Sequence, residues 1–173
     1  MPVLTTDDRG LRRDSDVELR HPTVADGAAM WRMAGESKVL DVNASYAYLL
    51  WARDFAATSV IAADPTGEPC GFVTGYRRPD RPDTLMIWQV AVDVSQRGKG
   101  LARQMLDHLT SSVPGITSME TTITADNAAS IALFSSYARG QGATVHTEPL
   151  FATADFPDGH DAEELYRISP IGG

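Results

Sequence analysis

WQVAVDVSQRGKGLA, residues Trp88–Ala102, is the stretch that decides the fold. An apolar strand ends, a short polar loop carries Gly98 and Gly100, and a helix begins. Glycine removes the Cβ where a backbone bends sharply or a ligand comes close. The first turn of a helix leaves its N–H groups without intrahelical partners, and the helix dipole favours an anion there. Arg97 and Lys99 add positive charge. The stretch therefore predicts a phosphate-binding nest between a strand and a helix. It is not a Walker loop, because G-x-x-x-x-G-K-[ST] is absent. Nor is it a complete dinucleotide fingerprint, since Arg103 stands where a third glycine belongs.

Outward from this stretch the chain reads as alternating elements. Thr84–Val92 is a strand, apolar enough to be buried on both faces. Cys70–Tyr76 and Ser59–Ala63 form a hairpin around the turn Asp64-Pro65-Thr66-Gly67. Further upstream, Val17–Arg20 is a short strand. A helix follows Thr23, with Val24, Ala28, Trp31 and Ala34 on its apolar face, and ends near Gly35. Ser45 opens a second helix carrying Tyr46, Leu49, Leu50 and Phe55, on which Tyr46 and Tyr48 cannot share a face. Downstream, Gly100–Ser112 is a helix carrying Leu101, Met105 and Leu109, and Ser118–Thr124 is a strand. A helix capped by Asp126 or Asn127 comes next and ends at Gly140 and Gly142. Ala143–Thr147 and Glu163–Ile168 are the last strands, with 148–161 irregular. The order β-α-α-β-β-β-α-β-α-β-β predicts an α/β protein of the α+β type, with a mixed, mostly antiparallel sheet and about four helices. Residues 16–170 form one domain, and residues 1–15 are a polar lead expected to be mobile.

The 173 residues carry a net charge of −8. That balance argues against nucleic acid and suits a cationic substrate. No apolar run approaches a membrane span, and no signal-peptide pattern opens the chain. A single cysteine, Cys70, excludes an internal disulfide and a cysteine metal cluster. A cytoplasmic enzyme without a metal is the expectation.

Arg97-x-x-Gly100-x-Ala102 behind an apolar strand resembles the pyrophosphate loop of the GCN5-related N-acetyltransferases. The resemblance covers most of residues 17–169 and implies their fold, with acetyl-CoA as co-substrate. It places Val90, Ala91 and Val92 against pantetheine. Arg97, Gly98, Lys99, Gly100, Leu101 and Ala102 meet the phosphates, and Asn127, Ala129 and Ser130 lie near the cofactor. Three further segments, LDVNASYAYLL (40–50), WQVAV (88–92) and ETTITADN (120–127), resemble the diaminobutyrate-acetylating branch of that family. The endings LFSSYAR (133–139) and HDAEELYRI (160–168) resemble it too. The implied reaction moves acetyl to the γ-amine of L-2,4-diaminobutyrate in ectoine biosynthesis, and the implied assembly is a homodimer.

On that reading Asp41 pairs with an ammonium, Asn43 steadies its loop, Tyr46 bonds a polar group, Trp88 walls the pocket, and Glu163 helps to close it. Read without the resemblance, Asp41 and Asn43 also fit ordinary loop and cap positions, and Trp88 fits a core position. Glu163 and Glu164 also fit a solvated strand edge, and only one of the two can face inward. The nucleophile must be a neutral amine. An alkylammonium with a pKa of ~10 costs ~4 kcal/mol to deprotonate at neutral pH. Glu120 and His160 are the candidate proton acceptors, and a backbone N–H of Val90–Val92 is the candidate oxyanion donor. The tyrosine that many family members use as an acid is replaced here by Phe134. Tyr137 is the nearest substitute and is expected to be dispensable. A different small amine as acceptor, or a non-catalytic acyl-CoA-binding module, are the competing readings.

Overall fold

Four consecutive residue pairs, Thr84–Ser118 through Ile87–Thr121, join the two central strands in parallel, and there their pairing stops. These strands are β4 (Thr84–Val92) and β5 (Ser118–Thr124). The structure, a computed structural model, describes residues 17–172. The lead over residues 1–15 lies outside them. The other strands are β1 (Glu18–Arg20), β2 (Val60–Ala63), β3 (Pro69–Arg77), β6 (Thr144–Phe151) and β7 (Glu163–Ser169). All seven form one sheet in the order β1-β2-β3-β4-β5-β7-β6, antiparallel except at β4–β5. The helices are α1 (Gly27–Ser37), α2 (Ser45–Asp54), α3 (Leu101–Ser112) and α4 (Ala128–Gln141). Sheet and helices occur in the expected order. No helix among the described residues is long and apolar enough to cross a membrane.

Strand alternation divides the core in two. Val60, Ala62 and Val73 pack with Leu101, Met105, Leu106 and Leu109 of α3 and Phe134 and Ala138 of α4. Ile61 and Phe72 point to the other face and pack with Met30, Met33 and Ala34 of α1 and Tyr48 and Ala52 of α2. The inward faces of α1 and α2 differ from those expected. A short helical turn over Val24–Asp26 precedes α1 and shifts its phase, so methionines face the sheet and Trp31 is 46% exposed. Helix α2 is capped at Ala44 rather than Ser45, and of its two tyrosines it is Tyr48, not Tyr46, that turns inward. Helix α4 continues through Gly140 and stops at Gly142, which adopts a left-handed φ of 66°. Strand β6 outruns its expected end by passing through Pro149. A proline is tolerated there because β6 is an edge strand.

A bulge interrupts β4. Its register with β3 passes from Thr74–Gln89 to Gly75–Ile87, leaving Trp88 without a partner. Before the bulge Leu85 and Ile87 belong to the α3–α4 core. After it Val90 and Val92 pack against that core, while Ala91 joins the α1–α2 core. The inserted residue thus flips the strand's parity. Trp88 and Gln89 consequently share the α1–α2 face: Trp88 stacks on Trp51 (4.3 Å between centroids) and Tyr48 (6.4 Å), and the Tyr48 hydroxyl donates to Gln89 Oε1 at 3.1 Å.

The half of the sheet beyond β5 is locked by an ion cluster. Glu120 on β5 is fully buried and accepts from Arg78 Nη1 (2.9 Å), Arg167 Nε (2.9 Å) and Arg81 Nη2. Burial opposes its ionisation. The Arg167 hydrogen bond and the charges of Arg81, Arg167 and Arg78 outweigh that and hold its carboxyl below the usual range. This corrects the assignment of Glu120 as a catalytic base. A carboxylate clamped by three guanidinium groups is a fastener, and it takes up no proton near neutral pH.

Glu120→Gln should cost about 2–4 kcal/mol of stability, somewhat below the usual penalty for breaking a buried pair because the arginines stay partly hydrated. Urea unfolding at neutral pH measures it, and no loss would remove the fastening role. The folded carboxyl titrates below its unfolded value, so its contribution is full above the ordinary glutamate pKa and fades as pH falls. The gap between wild type and variant should therefore close in acid.

Candidate active site

Past Ile87 and Thr121 the strands β4 and β5 separate, and a cleft of about 860 Å³ opens between them. Ile87–Val90 form one wall and Thr121–Thr124 the other. The floor includes Phe134, and the α1–α2 loop and the segment Gly159–Glu163 close over the mouth. The Asp93 N–H bonds the Cys70 carbonyl on β3 at 2.9 Å. Antiparallel alternation then spends the Ala91 N–H on β3 and turns those of Val90 and Val92 into the split. An open strand edge of this kind accepts an amide-bearing chain as an added strand. Ala91 itself is buried and does not line the cleft, which corrects its direct role. Val90 does line it.

The nest follows at the end of β4. Asp93 accepts from the Ser95 N–H at 2.9 Å and starts a short turn over Val94–Gln96. Arg97 Nε then donates to the Val92 carbonyl at 3.2 Å and folds the loop back onto the strand. Gly98 and Gly100 have φ of 75° and 74°. A Cβ at either would meet open space, so the left-handed backbone, and not crowding, calls for glycine. No side chain caps α3, and Gln104 is the first residue whose N–H finds a helical carbonyl, that of Gly100 at 3.1 Å. Leu101 and Ala102 thus present first-turn N–H groups beside Lys99, whose ammonium donates to Gln96 Oε1 at 3.2 Å. Arg97–Ala102 lie beyond the cleft's lining, as a site for the far end of a long ligand should. The start of α4 enters the cleft directly. Asn127 caps it by accepting from the Ser130 N–H (3.1 Å), and Asn127, Ala129 and Ser130 all line the wall. Open edge, uncapped N–H groups and adjacent cations fit a phosphate-bearing acyl carrier.

At the mouth three titratable groups meet. His160 Nε2 lies 3.0 Å from Asp41 Oδ2 and 3.8 Å from Glu163 Oε1, and His160 Nδ1 donates to the Asp161 carbonyl at 2.7 Å. The bond to Asp161 raises the imidazole pKa most. Partial burial opposes it, and the charges of Asp41 and Glu163 add to the rise. Glu163 is the inward member of its pair, with a side chain 17% exposed. Burial pushes its carboxyl above the usual range, against a hydrogen bond from Thr122 and the nearby His160 charge. Its Oε2 is buried with no hydrogen-bond partner among the described residues. A buried carboxyl of raised pKa with a spare lone pair, facing a cleft, is suited to receive a proton.

Gln89 ties this mouth to β4. Its Nε2 donates to the Asp41 carbonyl at 2.9 Å while its Oε1 takes the Tyr48 hydroxyl. Asn43 Nδ2 adds a longer bond to the same carbonyl, 3.4 Å. Asp41, Asn43, Trp88, His160 and Glu163 are therefore brought together as expected. Tyr46 is not: the residue is 66% exposed and does not line the cleft. Tyr137 is not either. It is fully buried, and its hydroxyl donates to Thr110 Oγ1 in α3 at 3.0 Å. Burial raises its pKa, and Tyr137 is not among the residues that line the cleft, whereas Phe134 is. Gln89 escaped the sequence reading because its inward aim depends on the bulge, and the choice of Tyr48 over Tyr46 is decided by the phase of α2.

Tyr137→Phe should leave kcat within about twofold and cost ~1 kcal/mol of stability from the lost hydrogen bond. A fall in kcat of about a hundredfold would reinstate Tyr137 as the acid.

Residues 28–138 match the model of the Acetyltransferase (GNAT) family. The L-2,4-diaminobutyric acid acetyltransferase of Streptomyces coelicolor is 56% identical over 161 residues, covering 91% of this chain and 95% of that relative. That of Streptomyces avermitilis is 52% identical over 165 residues, 93% and 92% of the two chains. Among solved structures, the diaminobutyrate acetyltransferase of Paenibacillus lautus, in complex with its substrate L-2,4-diaminobutyric acid and coenzyme A, superposes with a TM-score of 0.86. It is 34% identical, and the match covers 92% of this chain and 98% of that one. The overall fold is thus shared, and the chain belongs to the GNAT family of acetyltransferases.

Proposed function

We propose that the protein transfers the acetyl group of acetyl-CoA to the γ-amine of L-2,4-diaminobutyrate, releasing CoA. The observation that carries this reading is the pair of carboxylates, Asp41 and Glu163, set around His160 at the mouth of the split. It is supported by the diaminobutyrate acetyltransferases at 56% and 52% identity. Acetyl-CoA supplies the acetyl group as an activated thioester. The α3 nest, with Arg97 and Lys99, holds its phosphates, and the Val90–Val92 edge holds its amide-bearing arm. The Val90 N–H is the donor turned toward the acyl oxygen.

Asp41 takes one ammonium of the substrate. Glu163 faces the other and accepts its proton, offsetting part of the ~4 kcal/mol needed to make a neutral amine. His160, held by Asp41 and Asp161, fixes the spacing of the two carboxylates. Trp88 walls the diamine and offers a cation–π face. The reading extends to a homodimer acting in the cytoplasm, within ectoine biosynthesis. The exposed Val39 and Val42 of the α1–α2 loop, the acceptor loop, and Tyr46 at the start of α2 give apolar surface for a second copy.

Purified protein with acetyl-CoA and diaminobutyrate should release CoA and yield a product whose NMR spectrum carries the acetyl on the γ-nitrogen. Acetylation of a polyamine but not of diaminobutyrate would overturn the reading. Asp41→Ala should raise the diaminobutyrate KM strongly with acetyl-CoA affinity little changed. Glu163→Gln should lower kcat about a hundredfold. A protonated Glu163 accepts nothing, so wild-type activity falls as pH drops through its raised pKa, and that acid limb should vanish in the variant.

A further inference from the structure

Lys38 is the one lysine or arginine that lines the cleft among the described residues. The other charged groups around it are Asp41, Asp126, Asp161, Glu163 and His160. Lys38 is also the one described non-glycine residue with a left-handed backbone, φ 57° and ψ 7°. It sits just past the end of α1, where glycine is the usual occupant because any Cβ makes that conformation costly. The turn is held by its neighbour. Ser37 Oγ donates to the Ala34 carbonyl at 2.7 Å and accepts the N–H groups of Val39 (3.3 Å) and Leu40 (3.1 Å). The Lys38 ammonium has no ion pair or hydrogen bond among the described residues. A strained backbone, locked by a serine, thus carries an unpaired cation into an acidic cleft, and strain kept at a site calls for a role.

We propose that Lys38 sets substrate specificity by holding the carboxylate of the diamino acid. The proposal rests on the function given above. Asp41 and Glu163 satisfy the two nitrogens, and the same acids repel the substrate's own carboxylate. One cation at the rim answers that repulsion. It separates an amino-acid diamine from a plain one, which would fit the acid pair equally well.

The test compares diaminobutyrate with 1,3-diaminopropane, the same diamine without its carboxylate, in steady-state kinetics as substrate or competing inhibitor. Lys38→Ala and Lys38→Gly should raise the diaminobutyrate KM about tenfold with kcat nearly unchanged. The constant for 1,3-diaminopropane should stay within about twofold. Lys38→Arg should keep the discrimination, and Lys38→Glu should turn it toward the plain diamine. Lys38→Gly should at the same time raise the unfolding midpoint, because glycine takes the left-handed turn without strain. A better-folded variant that binds its substrate worse cannot be explained by damage to the helix end. If the wild type acetylates diaminobutyrate and the ratio between the amines stays the same in all four variants, the Lys38 assignment fails alone. If the wild type acetylates neither amine, the proposed function fails and takes the assignment with it.

Discussion

Everything distinctive about this molecule depends on two neighbouring parallel strands that pair for half their length and then part. Hydrogen bonds hold β4 to β5 only as far as Ile87 and Thr121. Beyond that point each strand has an edge inside the molecule, with backbone groups that call for partners. The bulge at Trp88 sits at the point of parting. It turns Trp88 and Gln89 to one face together and returns Val90 and Val92 to the other core. A sheet that stayed paired would have neither a wall for an amine nor an edge for an acyl carrier.

The parting is kept open by its flanks. On one side β4 is anchored to β3 along its length, and Thr74 substitutes a side-chain hydroxyl where the bulge breaks the ladder, accepting the Gln89 N–H at 3.1 Å. On the other side Glu120 gathers arginines from the β3–β4 loop and from β7. The buried carboxylate joins three segments far apart in sequence, so β5 is tied to the β3–β4 loop and to β7 as well as to β4. Two carboxylates on neighbouring strands thus serve opposite ends: Glu120 is held ionised as a fastener, while Glu163 is left with an unsatisfied oxygen and a raised pKa.

What was legible in the sequence follows from range. The strand–loop–helix of residues 88–102, the turn at 64–67 and the Asn127 cap are local, and glycine, proline and capping chemistry announce them. Asp41, Asn43, Trp88, His160 and Glu163 were found through the resemblance and do converge on the cleft. The misreadings arose where a phase or a distant partner decides. One extra turn before α1 and a cap one residue earlier at α2 exchanged Trp31 for Met30 and Tyr46 for Tyr48. Glu120 looked free because Arg78, Arg81 and Arg167 are remote from it in the chain. Tyr137 looked available because Thr110, which takes its hydroxyl, lies on another helix.

Gln89 grips the main-chain oxygen of residue 41, not its side chain. The acceptor loop is therefore docked by a bond that any residue at 41 would accept. The side chains of residues 38, 39, 41 and 42 can change while Gln89, Asn43 and the packed Leu40 keep the loop in position and the acyl-carrier strand keeps its shape. Such an attachment lets a lineage exchange one amine for another by substitutions in a single loop, leaving the costly parts of the fold untouched.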